Sequence, residues 1–314
     1  MCLYPIFIKN RKYLPNKKNH GVIPHMKDYR TEYVPVGCGE CIECRKQKAR
    51  AWQVRLSEEI RHDSTGIFAT LTFSEEELAK LHVEAGENVN DVAKMAVKRW
   101  RERVRKKLHK SPKHWLITEL GHEGTERIHL HGLVWGLEDT SATELIKNYW
   151  RYGYSDAGQY VNQRTINYII KYCTKVDSDH KEYKPIVLCS PGIGKQYLQR
   201  KDAIQNRYQA DQQTNETYRL PNGSKINLPI YYRNAIYSEE ERENLWLEKL
   251  NKGERYVLGN SITIHNKKDY EVFKNMQKVA REKNRRLGYG KRENYDEKAY
   301  IKDLEVLSQK IWEN

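Results

Sequence analysis

The chain has 314 residues, enough for one large domain or a core domain with appendages, and long enough to bury a sizeable core. Lys and Arg number 56 against 42 Asp and Glu, a net charge of +14; that excess points to a polyanionic partner, nucleic acid or an anionic membrane surface. No apolar run approaches the roughly 18 residues of a membrane span, and the low-polarity start of "MCLYPIFIKN" ends at Lys9, too soon for a secretory signal.

Without an export signal, the six cysteines read as reduced thiols, so the trio Cys38, Cys41 and Cys44 reads first as a metal site. An iron–sulfur run of ferredoxin type would want another cysteine where Lys48 stands, which favours structural zinc. The fourth ligand is expected to be Cys2, with His20 or His25 behind it. Buried, unligated thiols are the plainer alternative. Zinc here would staple the N-terminal arm to the helix that follows, "RKQKARAWQVRLSEEIRHD", whose Trp52, Leu56 and Ile60 make one apolar stripe. Residues 1–62 are taken as this first segment.

Residues 63–235 alternate strand-like and helix-like stretches. In "GIFATLTF", Ile67, Ala69, Leu71 and Phe73 share one face, against Phe68, Thr70 and Thr72 on the other. "SEEEL" opens a helix with Ser74 and Glu77 as a capping box. Residues 91–110 predict a helix with an apolar edge through Val92, Ala96, Trp100, Val104 and Leu108. Lys94, Lys98, Arg101 and Arg105 belong to its basic remainder. Between Lys94 and Lys107 the sole acid is Glu102, which suits phosphate contact. "HWLITELG" and "RIHLHGLVWG" predict two strands joined by "HEGTE".

On the second of these strands His129 and His131 leave the same face, and two imidazoles so placed can chelate a divalent cation. If Gly121 pairs with Arg127, Glu119 lies opposite His129 as a third ligand; a slip of one residue would turn it to the wrong face. Two imidazoles and a carboxylate leave open positions and suit Mn²⁺ or Mg²⁺. Histidines packed for structural reasons are the alternative.

"YIIKYCTK" repeats Tyr-x-x-Lys. On a helix Tyr168 and Tyr172 present two phenols about 6 Å apart along the axis, and Lys171 and Lys175 form an adjoining stripe that could meet phosphate. An amphipathic helix burying Ile169 and Ile170 would look the same. "SPGIGKQ" is no phosphate loop, since Cys189 and Gln196 stand where Gly and Ser or Thr are needed. It reads as a turn with Lys195 near DNA backbone, and no ATP binding is expected. "YRLPNGSKINLPIYY" predicts a hairpin about an Asn-Gly turn, and residues 236–314 a charged, helical extension opened by Ser238 and Glu241.

A paired-histidine strand followed by twin tyrosines fits cleavage and rejoining of DNA through a phosphotyrosine link. In "MCLYP", "YVPVGCGECIECRKQKARAWQVRL", "FATLTF", "RIHLHGLVWG", "YIIKYCTK" and "PGIGKQYL" the chain resembles the HUH endonucleases. Within them it resembles the replication initiators of small single-stranded DNA phages of the microvirus group, gokushovirus-like ones in particular. That resemblance implies an α+β, ferredoxin-like or RRM-like antiparallel sheet of about five strands flanked by helices, with the metal site on its exposed face. It implies His129 and His131, with Glu119, as ligands of Mg²⁺ or Mn²⁺. It also implies Tyr168 and Tyr172 as alternating nucleophiles that leave a 5′-phosphotyrosine and a free 3′ hydroxyl, with Lys171 and Lys175 stabilising charge. Arg127 joins the expected DNA contacts. The partners implied are origin DNA, a host helicase and a DNA polymerase, in the host bacterial cytoplasm. A transposase or relaxase built on the same motifs, or a zinc-stapled single-strand-binding protein without chemistry, are the competing readings.

Overall fold

A computed structural model of the chain describes residues 1–122, 126–177, 179–210 and 213–303, without the side chains of residues 159 and 160. The chain divides into two compact units: Met1–Lys48, Asn206–Glu216 and the chain from Arg233 onward form one, Ala49–Gln205 and Thr217–Tyr232 the other. No helix among the described residues is long and apolar enough to cross a membrane.

In the first unit the cysteine segment shares its core with residues beyond 236. Leu3, Tyr4, Cys41 and Ile42 are buried with Val257, Ile264, Tyr270, Phe273, Ala280 and Tyr300. The helix Lys267–Arg286 forms because Asn266 caps it, accepting from the Asp269 N–H, and because Tyr270, Phe273, Gln277, Ala280 and Asn284 recur along one buried face. Its side chains reach the N-terminal segment directly: Asn284 Oδ1 accepts from the Ile42 N–H at 2.9 Å, and Arg281 Nε donates to the Leu3 carbonyl at 3.0 Å. The capping box of Ser238 and Glu241 opens the helix Glu239–Lys252. The stretch beyond 236 is less uniformly helical than its composition suggests, because Glu254–Val257 and Asn260–Thr263 pair as an antiparallel hairpin. A second hairpin, Ile6–Lys9 with Tyr33–Val36, brackets the N-terminal arm.

The second unit is built on a five-stranded antiparallel sheet. Across it run Ser155–Tyr160, Ile67–Leu71, Ile128–Val134, His114–Leu120 and Val187–Cys189. Numbered among themselves by sequence, the first four follow the order 4-1-3-2 of a β-α-β-β-α-β unit, with the fifth strand added at the edge. The chain is therefore α+β, with helices flanking the sheet, as expected. The paired strands have the register anticipated: Glu119 opposes His129, and the Gly121 N–H donates to the Arg127 carbonyl at 2.9 Å. Residues 123–125 of the "HEGTE" connection lie outside the described ones.

Alternation along the strands divides the core into two layers. Leu71, Leu116, Leu120, Ile128, Leu130 and Val134 bury one face against the basic helix Val89–Leu108, through its Val92, Ala96, Trp100 and Val104. Trp115, Ile117, Leu133 and Trp135 bury part of the other against Ala49 and Leu56 of the helix Ile42–His62 and against Ile166, Ile169 and Cys173. Gly132 lies where strands approach closely: a Cβ there would fall 2.0 Å from the Trp115 carbonyl oxygen. Gly132→Ala should therefore cost about 3 kcal/mol or more, since the obstacle is backbone that cannot turn aside. A urea-unfolding midpoint lowered by that amount is the expected measurement.

Two local expectations are corrected. The hairpin after residue 217 is confined to Thr217–Arg219 and Lys225–Asn227, and beyond Pro229 the chain enters the helix Ile230–Ile236 instead of a strand. "YIIKYCTK" is not one regular helix: Gln163–Ile169 is α-helical, and Ile170–Cys173 tightens into a 3₁₀ turn.

Candidate active site

His129 and His131 project from the sheet face opposite the basic helix. The strand Ile67–Leu71 lies beside them and sets Thr70 against His131 in register, so that Thr70 Oγ1 and His131 Nδ1 are 3.1 Å apart. On the other side, Glu119 Oε2 stands 3.2 Å from His131 Nε2. Both nitrogens of His131 thus have partners. The remaining Glu119 oxygen meets the Lys175 ammonium. Burial alone would raise the pKa of Glu119, but the hydrogen bonds from His131 and Lys175 outweigh it and hold the carboxyl below its usual range. Burial, reinforced by the neighbouring His131, lowers the pKa of His129 and favours its neutral imidazole.

The tyrosines reach this face because the segment before them is firmly capped. Asn162 Oδ1 accepts from the Arg164 and Thr165 N–H groups at 2.8 and 3.1 Å, and Thr165 Oγ1 accepts in return from the Asn162 N–H. Ile166, Ile169 and Cys173 are buried below, while Gln53 Nε2 donates to Asn167 and the Ser57 hydroxyl to Gln163, each at 3.0 Å. Ile170 is only partly buried, a departure from the expected pair of buried isoleucines.

With that side anchored, Tyr172 lies flat against His131, ring centroids 5.2 Å apart and planes within 14°. Tyr168 meets Tyr172 edge to face, and their hydroxyl oxygens are 2.8 Å apart. Tyr168 is 49% exposed, whereas Tyr172 is half-buried. Burial, the hydrogen bond to Tyr168 and the nearby Glu119 charge all raise the pKa of the Tyr172 phenol. Phe68 completes the aromatic wall, stacking on His131 at 6.2 Å and meeting Tyr168 edge-on at 6.1 Å. Phe68 and Thr70 went unrecognised as site residues in the sequence, although the period-two alternation that puts them on one face was its visible signal.

The expected metal ligands share a face but are not drawn into one tight group. Among the described residues, two sets of ligating atoms converge within 4.8 Å of one another: Cys2, Cys38, Cys41 and Cys44, and separately His122, Asp177 and His180. His131 meets Glu119, but its ring stands 6.3 Å from that of His129, which lies over Gly121. Lys171 and Lys175 are exposed; Lys175 serves Glu119 and lies 5.9 Å from the Tyr172 ring centroid.

The cysteine group could hold a structural metal ion. Its Cys2–Cys41 and Cys38–Cys44 sulfur separations are 3.8 and 3.9 Å. A zinc tetrahedron with bonds of about 2.3 Å has edges of about 3.8 Å. The N–H groups of Tyr4 and Cys38 point at the Cys2 sulfur, and that of Cys41 at Cys38. Hydrogen bonds between sulfurs, those with Cys2 first, press Cys38 below and Cys44 above the ordinary thiol range. Neither His20 nor His25 belongs to the group.

The expected DNA contacts are dispersed. Lys94, Lys98 and Arg105 are exposed and Arg101 is partly buried, all on the helix that covers the other sheet face. Acids at the start of this helix and on the preceding one offset part of its charge: Asp91 pairs with Lys94, and Glu84 with Arg99. Arg127 reaches Glu75 at 3.2 Å. Lys195 is exposed beyond Gly194, whose φ of +74° and whose Cβ position, 2.5 Å from the Arg55 carbonyl oxygen, both require glycine. The Gly194 N–H donates to the buried Glu59 carboxylate at 2.6 Å, so this turn spends on a carboxylate the amide a phosphate loop would offer.

Residues 66–177 match the family model for replication-associated protein ORF2, also described as the gene 2 protein. That span holds His129, His131, Glu119, both tyrosines and Lys175. The chain is also similar to the replication-associated protein VP4 of Bdellovibrio phage phiMH2K, 25% identical over 235 residues that cover 67% of this chain and 70% of the relative. No solved structure matches it significantly.

Proposed function

We propose that the chain is a phage replication initiator of the HUH type, allied to the gokushovirus-like microviruses, which nicks single-stranded origin DNA and transfers the strand. The observation that carries this reading is the meeting of two phenol oxygens, 2.8 Å apart, beside the contact of His131 with Glu119. It lies inside the stretch similar to replication-associated proteins.

A phenol with a pKa near ~10 is a weak nucleophile at neutral pH. Phosphoryl transfer from DNA therefore needs its charge stabilised where it develops. His129, His131 and Glu119 would hold Mg²⁺ or Mn²⁺, which polarises a phosphate oxygen when bound. Lys171 and Lys175 stabilise charge on the same phosphate. One tyrosine oxygen bonds to phosphorus as the bond to the 3′ oxygen breaks; the phenol loses a proton, the 3′ oxygen gains one, and the 5′ phosphate remains on the ring. After a circuit of synthesis the second tyrosine cuts the regenerated origin. The 3′ hydroxyl so released attacks the first phosphotyrosine, which closes the circle and frees the ring. Each step exchanges one phosphoester for another, so no ATP is consumed. A host helicase and polymerase would work ahead of and behind the nick, in the cytoplasm of the host bacterium. The cysteine group serves as a structural zinc site.

The test is incubation with Mn²⁺ and a labelled single-stranded origin oligonucleotide. A protein–DNA adduct that survives boiling in detergent is the expected product. Reversible, salt-sensitive binding alone would overturn the reading and leave a single-strand-binding protein.

The basic helix lies on the sheet face away from the tyrosines, so its contacts would fall on DNA outside the reacting linkage. Replacing Lys98 and Arg105 by Ala should weaken binding alike for all sequences. On single strands the salt dependence should flatten by about 0.7 for each phosphate the variant no longer neutralises. Adduct formation at saturating DNA should be unchanged. Titrations at several salt concentrations measure the slope.

A further inference from the structure

The second convergence of metal-ligating side chains has no part in the reaction proposed above. His122 follows the strand that carries Glu119, and Asp177 and His180 follow the tyrosine segment. Asp177 Oδ2 stands at the centre, 3.1 Å from His180 Nδ1 and 3.7 Å from His122 Nε2, and the two imidazole centroids are 5.8 Å apart. The Asp177 side chain is 9% exposed. Its other oxygen, Oδ1, accepts from the N–H groups of Asp179 and His180, each at 3.0 Å, which fixes the carboxylate and turns Oδ2 toward the rings.

The far side of each ring is also held. His122 Nδ1 is 2.9 Å from Asp179 Oδ2, and His180 Nε2 is 3.6 Å from Glu126 Oε1. A carboxylate behind an imidazole fixes the tautomer and makes the facing nitrogen a better ligand, the outer arrangement that metal-binding histidines repeatedly use. Three carboxylates and two imidazoles thus gather in one place on a chain whose net charge is +14.

We propose that His122, Asp177 and His180 form a second binding site for a borderline divalent transition-metal ion such as Zn²⁺ or Co²⁺. The ligands are His122 Nε2, His180 Nδ1 and Asp177 Oδ2, with Asp179 and Glu126 orienting the rings. Two nitrogens and one oxygen with an open position suit such ions better than Mg²⁺ or Ca²⁺, which prefer all-oxygen shells. The site has a structural consequence. Asp177 lines the same hollow as Glu119, Tyr172 and Lys175. An ion there ties the end of the glutamate strand to the segment leaving the tyrosines, and so fixes Glu119 and Lys175 relative to each other. The site does not depend on the tyrosines being nucleophiles.

The experiment uses the full chain with its cysteine-bound metal retained, titrated with Co²⁺ and followed by visible absorption. Wild type should develop ligand-field bands without thiolate charge transfer, and so should the His129→Ala/His131→Ala variant, which removes the other histidine pair. His180→Ala should lose the bands, with affinity reduced more than 100-fold, and Asp179→Asn should weaken binding by about 10- to 100-fold, as expected of a residue behind a ligand. His122→Ala, altering a side chain one-third exposed, provides a ligand deletion with little risk to folding. Bound ion should also raise the melting temperature of wild type and not of His122→Ala. Equal Co²⁺ affinity in wild type, His122→Ala and His180→Ala would overturn the proposal. So would bands that vanish in the His129→Ala/His131→Ala variant alone, because the ion would then belong to the proposed catalytic face.

Discussion

Replacing both Tyr168 and Tyr172 with Phe should abolish the covalent adduct, a loss of about 10⁴-fold or more in cleavage, while leaving the fold intact. Phe keeps the ring of residue 172 stacked on His131 and its edge-to-face contact with residue 168. What disappears is one hydrogen bond between hydroxyls, worth about 1 kcal/mol of stability. The double variant should therefore melt close to wild type and bind the origin oligonucleotide with unchanged affinity. Each single variant should still form an adduct through the remaining phenol but fail to produce a closed circle, since the second transfer has no free nucleophile. Denaturing gels that resolve adduct from joined strand separate the two activities. An adduct with the double variant would place the nucleophile elsewhere. If one single variant forms no adduct and the other behaves as wild type, a single working tyrosine replaces alternation.

The site was legible because its signals are local and periodic. Alternation along "RIHLHGLVWG" put both histidines on one face, and counting back across the connection set Glu119 opposite His129, where it stands. The meeting of the tyrosines with that face was not contained in any local pattern. It depends on Ile166, Ile169 and Cys173 seating the segment on Trp115 and Ile117, a tertiary matter. The 3₁₀ turn under Tyr172 was invisible for the same reason: nothing in "IKYC" forbids an α-helix. The hairpin at 254–263 was missed because its two-residue loop is Leu258–Gly259, with φ of +49° and +92°. Leucine there hides the turn that Asn or Asp would have announced. The shared core of the cysteine segment and the last helix joins residues more than 200 apart, which one sequence alone cannot pair.

That shared core makes metal removal the other change of large expected effect. Four sulfurs sit within 4.8 Å of one another, and Leu3, Tyr4 and Ile42 lie in the core that Phe273 and Tyr300 complete. Without an ion, thiolates this close repel, and neutral thiols offer only weak hydrogen bonds in place of metal–sulfur bonds. Structural zinc sites of this kind contribute on the order of 10 kcal/mol in small domains, most of it as folding free energy. Cys38→Ser or Cys2→Ser should therefore lower the stability of this unit by at least about 3 kcal/mol and reduce its zinc content from about one ion per chain toward none. His20→Ala and His25→Ala should keep both wild-type values, because neither residue belongs to the group. Elemental analysis after gel filtration gives the stoichiometry, and thermal unfolding gives the stability. Full zinc occupancy in Cys2→Ser would mean that the N-terminal arm is held by its apolar contacts and the arginine bond to Leu3, with the fourth ligand coming from elsewhere.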